Sequence, residues 1–78
     1  MDKKAVLKDY IKDEFIRNPN VQLDENEDLI GAGILDSLGI LKLVAYIEDN
    51  FNIEVSDEEV VYENFHSLTA MENYLQRH

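Results

Sequence analysis

The sequence predicts an all-α fold, on three observations. Apolar residues recur at helical spacing in three segments, with a shorter helical turn between the second and third. No alternating run outlasts Ile53-Glu54-Val55, so strand signals are weak. The 78 residues include no cysteine, so neither disulfides nor a thiolate metal site can support the fold, and 45% apolar residues suffice for a compact helical domain. A chain of this length is expected to form one domain, residues 1–78, with a small core.

The first helix is expected from about Lys3 to Arg17. Leu7, Ile11 and Phe15 recur every fourth residue and form one apolar stripe, widened by Tyr10. Asn18-Pro19 should end it, because Asn tolerates the left-handed conformation and Pro cannot continue a helix. A long loop follows, from Pro19 to Asp36. Val21, Leu23, Leu29, Ile30 and Ile34 are placed to pin it to the core, and a connection this long without regular structure hints at function.

The second helix is expected from Asp36-Ser37, with Asp36 as its N-cap, to Phe51. Ile53-Glu54-Val55 then forms a short extended link. A short third helix is expected to begin at Ser56, which with Glu59 forms a capping box, and Val55 with Val60 the accompanying hydrophobic staple. The last helix begins near Ser67, with Leu68, Met71 and Leu75 facing inward.

Seventeen acidic residues against seven basic ones give a net charge of −10. Such a surface repels nucleic acid and anionic lipid and attracts basic protein partners. No apolar run reaches the ~18 residues of a membrane span, and Met1-Asp2-Lys3-Lys4 opens no signal peptide, so a cytoplasmic location is expected.

Several motifs fail on inspection. Asp24-x-Asn26-x-Asp28 resembles the start of a calcium loop, but Leu29 and Leu35 occupy the positions that need Gly and Glu, which leaves a solvated acidic loop. Gly31-x-Gly33 is half of a dinucleotide fingerprint with no βαβ unit before it, and suits a tight turn instead. Leu35-Asp36-Ser37-Leu38-Gly39 lacks the first glycine of a nucleophile elbow. Of the two histidines, His66 reads as an ordinary residue in the turn before the last helix, and His78 is terminal. No catalytic base stands against Ser37, so an enzyme is not expected.

The second helix carries more information. At about 100° per residue, Ile40, Leu43, Val44, Ile47 and Phe51 share a core-facing side. Leu38, Leu41 and Ala45 form a second patch about 130° around, edged by Glu48 and Asp49. This patch reads as a docking face; the alternative is that Leu41 packs under the loop or the third helix. Gly39 would let a partner come close. Ser37 opens this helix, where unpaired N–H groups and the helix dipole favour a phosphate, although a capping serine alone would look the same.

At Gly33-Ile34-Leu35-Asp36-Ser37-Leu38 the sequence resembles the acyl carrier protein and peptidyl carrier family, and the resemblance extends over nearly the whole chain. It implies a four-helix bundle with a short third helix and a long loop between helices one and two. It implies 4′-phosphopantetheine attached to Ser37 by a phosphopantetheinyl transferase, with Asp36 fixing the helix start. Partners, met through Leu38, Leu41, Glu48 and Asp49, would be an acyl- or aminoacyl-activating ligase and downstream synthase or transferase enzymes. The carrier would be a non-catalytic monomer that binds no nucleic acid and inserts in no membrane.

Two cargoes are compatible with this resemblance. The main reading is an acyl carrier of a fatty acid, polyketide or specialised pathway, with an acyl cleft lined by Ile53, Val60 and Val61. The alternative is a D-alanyl or other aminoacyl carrier served by an adenylating ligase, which needs no cleft. Gly39 and Lys42 stand where carriers of fatty acid synthesis usually place acidic residues, and Glu63-Asn64-Phe65 looks closer to stand-alone carriers served by adenylating ligases.

Overall fold

A computed structural model describes residues 2–18 and 20–77. The readings that rested on Met1, on Pro19 as a helix stop and on His78 lie outside the described residues. Among the described residues the fold is all-α, with four α-helices and no strand. They are α1 (Lys3–Ile11), α2 (Ser37–Phe51), α3 (Tyr62–Phe65) and α4 (Leu68–Gln76).

Asp2 caps α1, its carboxylate accepting from the N–H groups of Lys4 and Ala5 at 3.1 and 3.4 Å. The predicted stripe is the one observed: Leu7 and Ile11 are buried, and Tyr10 and Phe15 pack against the core. Past Ile11 the helix widens into a π-turn, Lys12–Ile16, closed by the Arg17 N–H on the Lys12 carbonyl. That closure moves the stop one residue earlier than expected. Arg17, not Asn18, adopts the left-handed conformation, at φ 60°. Asn18 instead turns the chain with its side chain, accepting from the Asn20 N–H at 3.0 Å.

The long loop is ordered by burial and by hydrogen bonds. Leu23, Leu29 and Leu35 are buried in the core; Leu35 is an anchor that the helical reading of the sequence did not single out. Thr69 fastens the loop to α4, its N–H and hydroxyl both donating to the Glu25 carbonyl. The acidic run is therefore not merely solvated: Asp24 accepts from the Asn26 N–H, and Asp28 from the Gly31 N–H, each at 2.8 Å. Gly33 takes φ 79°, which explains a glycine in the turn before α2.

The expected third helix at Ser56 is only a 3-10 turn, Asp57–Glu59. The capping box is present, with the Glu59 carboxylate accepting from the Ser56 N–H at 3.3 Å, but β-branched Val60 and Val61 leave helical geometry and break the element. The short α3 starts after them, at Tyr62. α4 is capped by Ser67, whose hydroxyl accepts from the Ala70 N–H at 3.1 Å. It buries Leu68, Met71 and Leu75 as expected, and Tyr74 in addition. The Tyr74 hydroxyl donates to Glu59 at 2.9 Å. Burial, reinforced by that carboxylate, pushes the phenol up to about 12.

Candidate functional site at the start of the second helix

Asp36, in extended conformation, turns its carboxylate over the first turn of α2 and accepts from the Gly39 N–H at 2.7 Å. Ser37 is the first helical residue and is exposed. At this position the N–H groups of Ser37 and Leu38 have no intrahelical acceptor, and the positive end of the helix dipole lies beside the serine hydroxyl. An exposed hydroxyl in this setting fits a phosphodiester, whose negative charge the helix terminus stabilises.

Gly39 does not face a partner, as the sequence suggested; it is buried. A Cβ there would lie 3.1 Å from the Phe15 ring and 3.2 Å from the Asp36 carboxylate. The missing side chain lets Phe15 and the capping carboxylate close on the first turn of α2. The glycine thereby serves the presentation of the serine from beneath.

The two faces of α2 separate as the angular argument required. Leu43 and Ile47 are fully buried, with Ile40, Val44 and Phe51 packed against the core. Leu38 and Leu41 are each 62% exposed, so Leu41 does not lie under α3. Ala45 and Asp49 are exposed on the same helix. Glu48 differs from Asp49: its carboxylate accepts from the Val55 N–H at 3.0 Å and fastens the extended link to the end of α2.

Of the residues expected to line an acyl cleft, Ile53 and Val60 pack against the core, while Val61 is 40% exposed. A groove of about 730 Å³ opens elsewhere, among Asn26, Asn64, His66, Asn73 and Arg77. A second, of about 180 Å³, lies among Lys4, Lys8, Leu23 and Leu68. Neither includes Ile53, Val60 or Val61.

One cluster escaped the sequence. Tyr62 donates its hydroxyl to Asp28 at 2.6 Å and stacks on His66, with ring centroids 4.8 Å apart. His66 lies in the turn before the last helix, as expected, and its carbonyl accepts from the Leu29 N–H at 2.7 Å. No spacing rule connects residues 28 and 62; the sequence reading placed Asp28 in the acidic loop and did not single out Tyr62.

Comparison with known proteins bears directly on this arrangement. The family model for the phosphopantetheine attachment site matches residues 5–75. A D-alanyl carrier protein from Streptococcus suis (strain 98HAH33) is 34% identical over 71 residues, covering 91% of this chain and 87% of the relative. One from Streptococcus sanguinis (strain SK36) is 37% identical over 59 residues, 76% of this chain and 72% of the relative. Among solved structures, a chain of one described as "Crystal structure of FAD-dependent dehydrogenase" matches with a TM-score of 0.81. It is 24% identical, with 90% of this chain and 99% of that chain covered, and shows the fold alone.

Proposed function

This chain belongs to the phosphopantetheine attachment site family, and from that premise we propose that it is an aminoacyl carrier of the D-alanyl type, with Ser37 as the residue that bears the arm. Membership brings the prosthetic group, 4′-phosphopantetheine, and with it the role of a carrier protein. When attached, the group supplies a terminal thiol for thioester formation, which a chain without cysteine cannot supply itself.

The observation that carries the assignment of Ser37 is its place: an exposed hydroxyl on the first residue of α2, preceded by a capping aspartate. Asp36 holds the helix start through Gly39, and the free N–H groups of the first turn offer a phosphate its stabilising partners. Leu38 and Leu41 present apolar surface beside the serine, and Asp49 adds a carboxylate for steering a basic partner. The chain's own part is to hold and present; the chemistry is done by the transferase, the ligase and the enzyme that accepts the cargo.

For the cargo, the relatives favour the alternative over the main reading drawn from the sequence. Both are named D-alanyl carrier proteins, which favours the aminoacyl alternative over fatty acyl cargo. Ile53 and Val60 packed on the core support the same choice, since a small polar cargo needs no apolar cleft. A single carrier domain, working as a monomer in the cytoplasm where coenzyme A and ATP are available, fits this role.

Mass spectrometry after incubation with coenzyme A and a broad-specificity transferase tests the attachment. One arm should be gained, and Ser37→Ala should abolish the gain while leaving the fold intact, because Asp36 still caps α2. An arm on Ser56 or Ser67 contradicts the assignment of Ser37, and no arm with any transferase leaves an unmodified interaction module. The loaded form then separates cargoes: with ATP and a D-alanine-activating ligase it should gain an aminoacyl thioester. Loading by a fatty acyl ligase alone would restore the acyl reading.

A further inference from the structure

The first turn of α2 does not hang freely from its loop; a chain of hydrogen bonds ties it to α3. The Leu29 carbonyl accepts from both the Ile34 and Leu35 N–H groups, at 2.9 and 3.0 Å, which closes residues 29–35 into a ring. Leu35 is buried and directly precedes the capping Asp36. At the base of the ring the Leu29 N–H donates to the His66 carbonyl at 2.7 Å. Next to it Asp28 uses one carboxylate oxygen for the Gly31 N–H, at 2.8 Å, and the other for the Tyr62 hydroxyl, at 2.6 Å.

Tyr62 thus holds the ring from outside. It is 49% exposed, so its ring is not fixed by burial; it is fixed by stacking on His66 at 12° and by the bond to Asp28. The Tyr62 hydroxyl, ahead of the Gly31 N–H, also holds the Asp28 carboxyl below its ordinary range, as a carboxylate that accepts such bonds requires.

We infer that Tyr62 is a positioning residue for Ser37: through Asp28 and the closed loop 29–35 it holds the start of α2 in the arrangement that enzymes acting on Ser37 require. This rests on Ser37 as the attachment point. Tyr62 acts through the loop, not by touching the serine. A loop released at Asp28 would spend part of its time with Asp36 and Ser37 displaced. The transferase would then meet a smaller competent fraction, which raises the apparent dissociation constant in proportion and leaves the bound complex unchanged.

Tyr62→Phe isolates the tie, because it keeps the ring over His66 and removes only the hydroxyl. Arm transfer to this variant should show KM for the carrier raised about 2- to 3-fold with kcat kept, the rise that follows when the loop stays closed in about one half to one third of the molecules. Asp28→Ala should show the same pattern, and Tyr62→Phe added to Asp28→Ala should cause no further loss. Amide hydrogen exchange should quicken at Gly31, Ile34 and Leu35 while α1 and α4 keep their rates.

An unchanged KM in Tyr62→Phe would overturn the inference, and so would additive losses in the double variant, which would mean that Tyr62 contacts the enzyme directly. Exchange quickened equally throughout the chain would assign the loss to general destabilisation and overturn it too. A wild-type protein that takes no arm at Ser37 fails at an earlier step and refutes the attachment site instead.

Discussion

Glu48 and Asp49 are neighbours of like charge with different work. The Glu48 carboxylate takes the Val55 N–H at 3.0 Å, and Val55 itself is buried in the core. Asp49 is exposed and available to solvent and partners. Glu48→Lys removes the acceptor and strands the Val55 N–H, which should lower stability by about 1–3 kcal/mol. Asp49→Lys should change stability by less than about 0.5 kcal/mol and instead slow association with a basic partner and flatten its salt dependence. Thermal melts and stopped-flow association on the two variants check this. Equal melting temperatures would show that the Val55 bond contributes nothing. Sequence alone grouped the two carboxylates as one docking edge, because a side chain's partner seven residues away is not visible in helical periodicity.

At the scale of elements, α2 has two apolar faces with opposite fates. The stripe containing Leu43 and Ile47 is buried completely, while Leu38 and Leu41 remain 62% exposed. A leucine exposed to that degree contributes little to folding, so Leu41→Ala should shift stability by under about 0.5 kcal/mol, against about 2–5 kcal/mol for Leu43→Ala. Turnover by the transferase or ligase should fall with Leu41→Ala, since a truncated apolar contact near Ser37 is felt in the encounter. Measuring melting temperature and turnover on one sample separates the two effects. A stable variant with full turnover would remove Leu41 from the docking face. α3 shows the converse. The capping box at Ser56 was legible, but two β-branched valines after the 3-10 turn confine the α-helix to Tyr62–Phe65.

The whole molecule holds 17 carboxylates on a small body with a radius of gyration of 11.4 Å, against seven basic side chains. Lys4 answers part of that repulsion. Its ammonium lies 3.2 Å from Glu25 and 3.5 Å from Glu72, bridging α1, the loop and α4. Its pKa is raised first by the hydrogen bond to Glu25. Two partly exposed ion pairs contribute modestly, whereas the excess of negative charge acts over the entire surface. Sodium chloride at 0.1 M screens charges beyond ~10 Å, so added salt should raise the melting temperature. A melting temperature that falls with salt would mean that the Lys4 bridges outweigh the general repulsion.

The sequence by itself determined α1, α2 and α4 and their faces, because residues three and four apart on one helix necessarily share a side. Leu7 with Ile11, Leu43 with Ile47, and Leu68 with Met71 and Leu75 were legible for that reason. So was the Asp36-Ser37 helix start, since a cap acts within one turn. The tertiary structure alone decided what meets across the chain. It turned Gly39 inward against Phe15, gave Glu48 to Val55, packed Ile53 and Val60 on the core, and joined Tyr62 to Asp28. These pairings depend on how the loop, the extended link and α3 settle on the common core. That docking is fixed by buried leucines such as Leu29 and Leu35, and no local period encodes it.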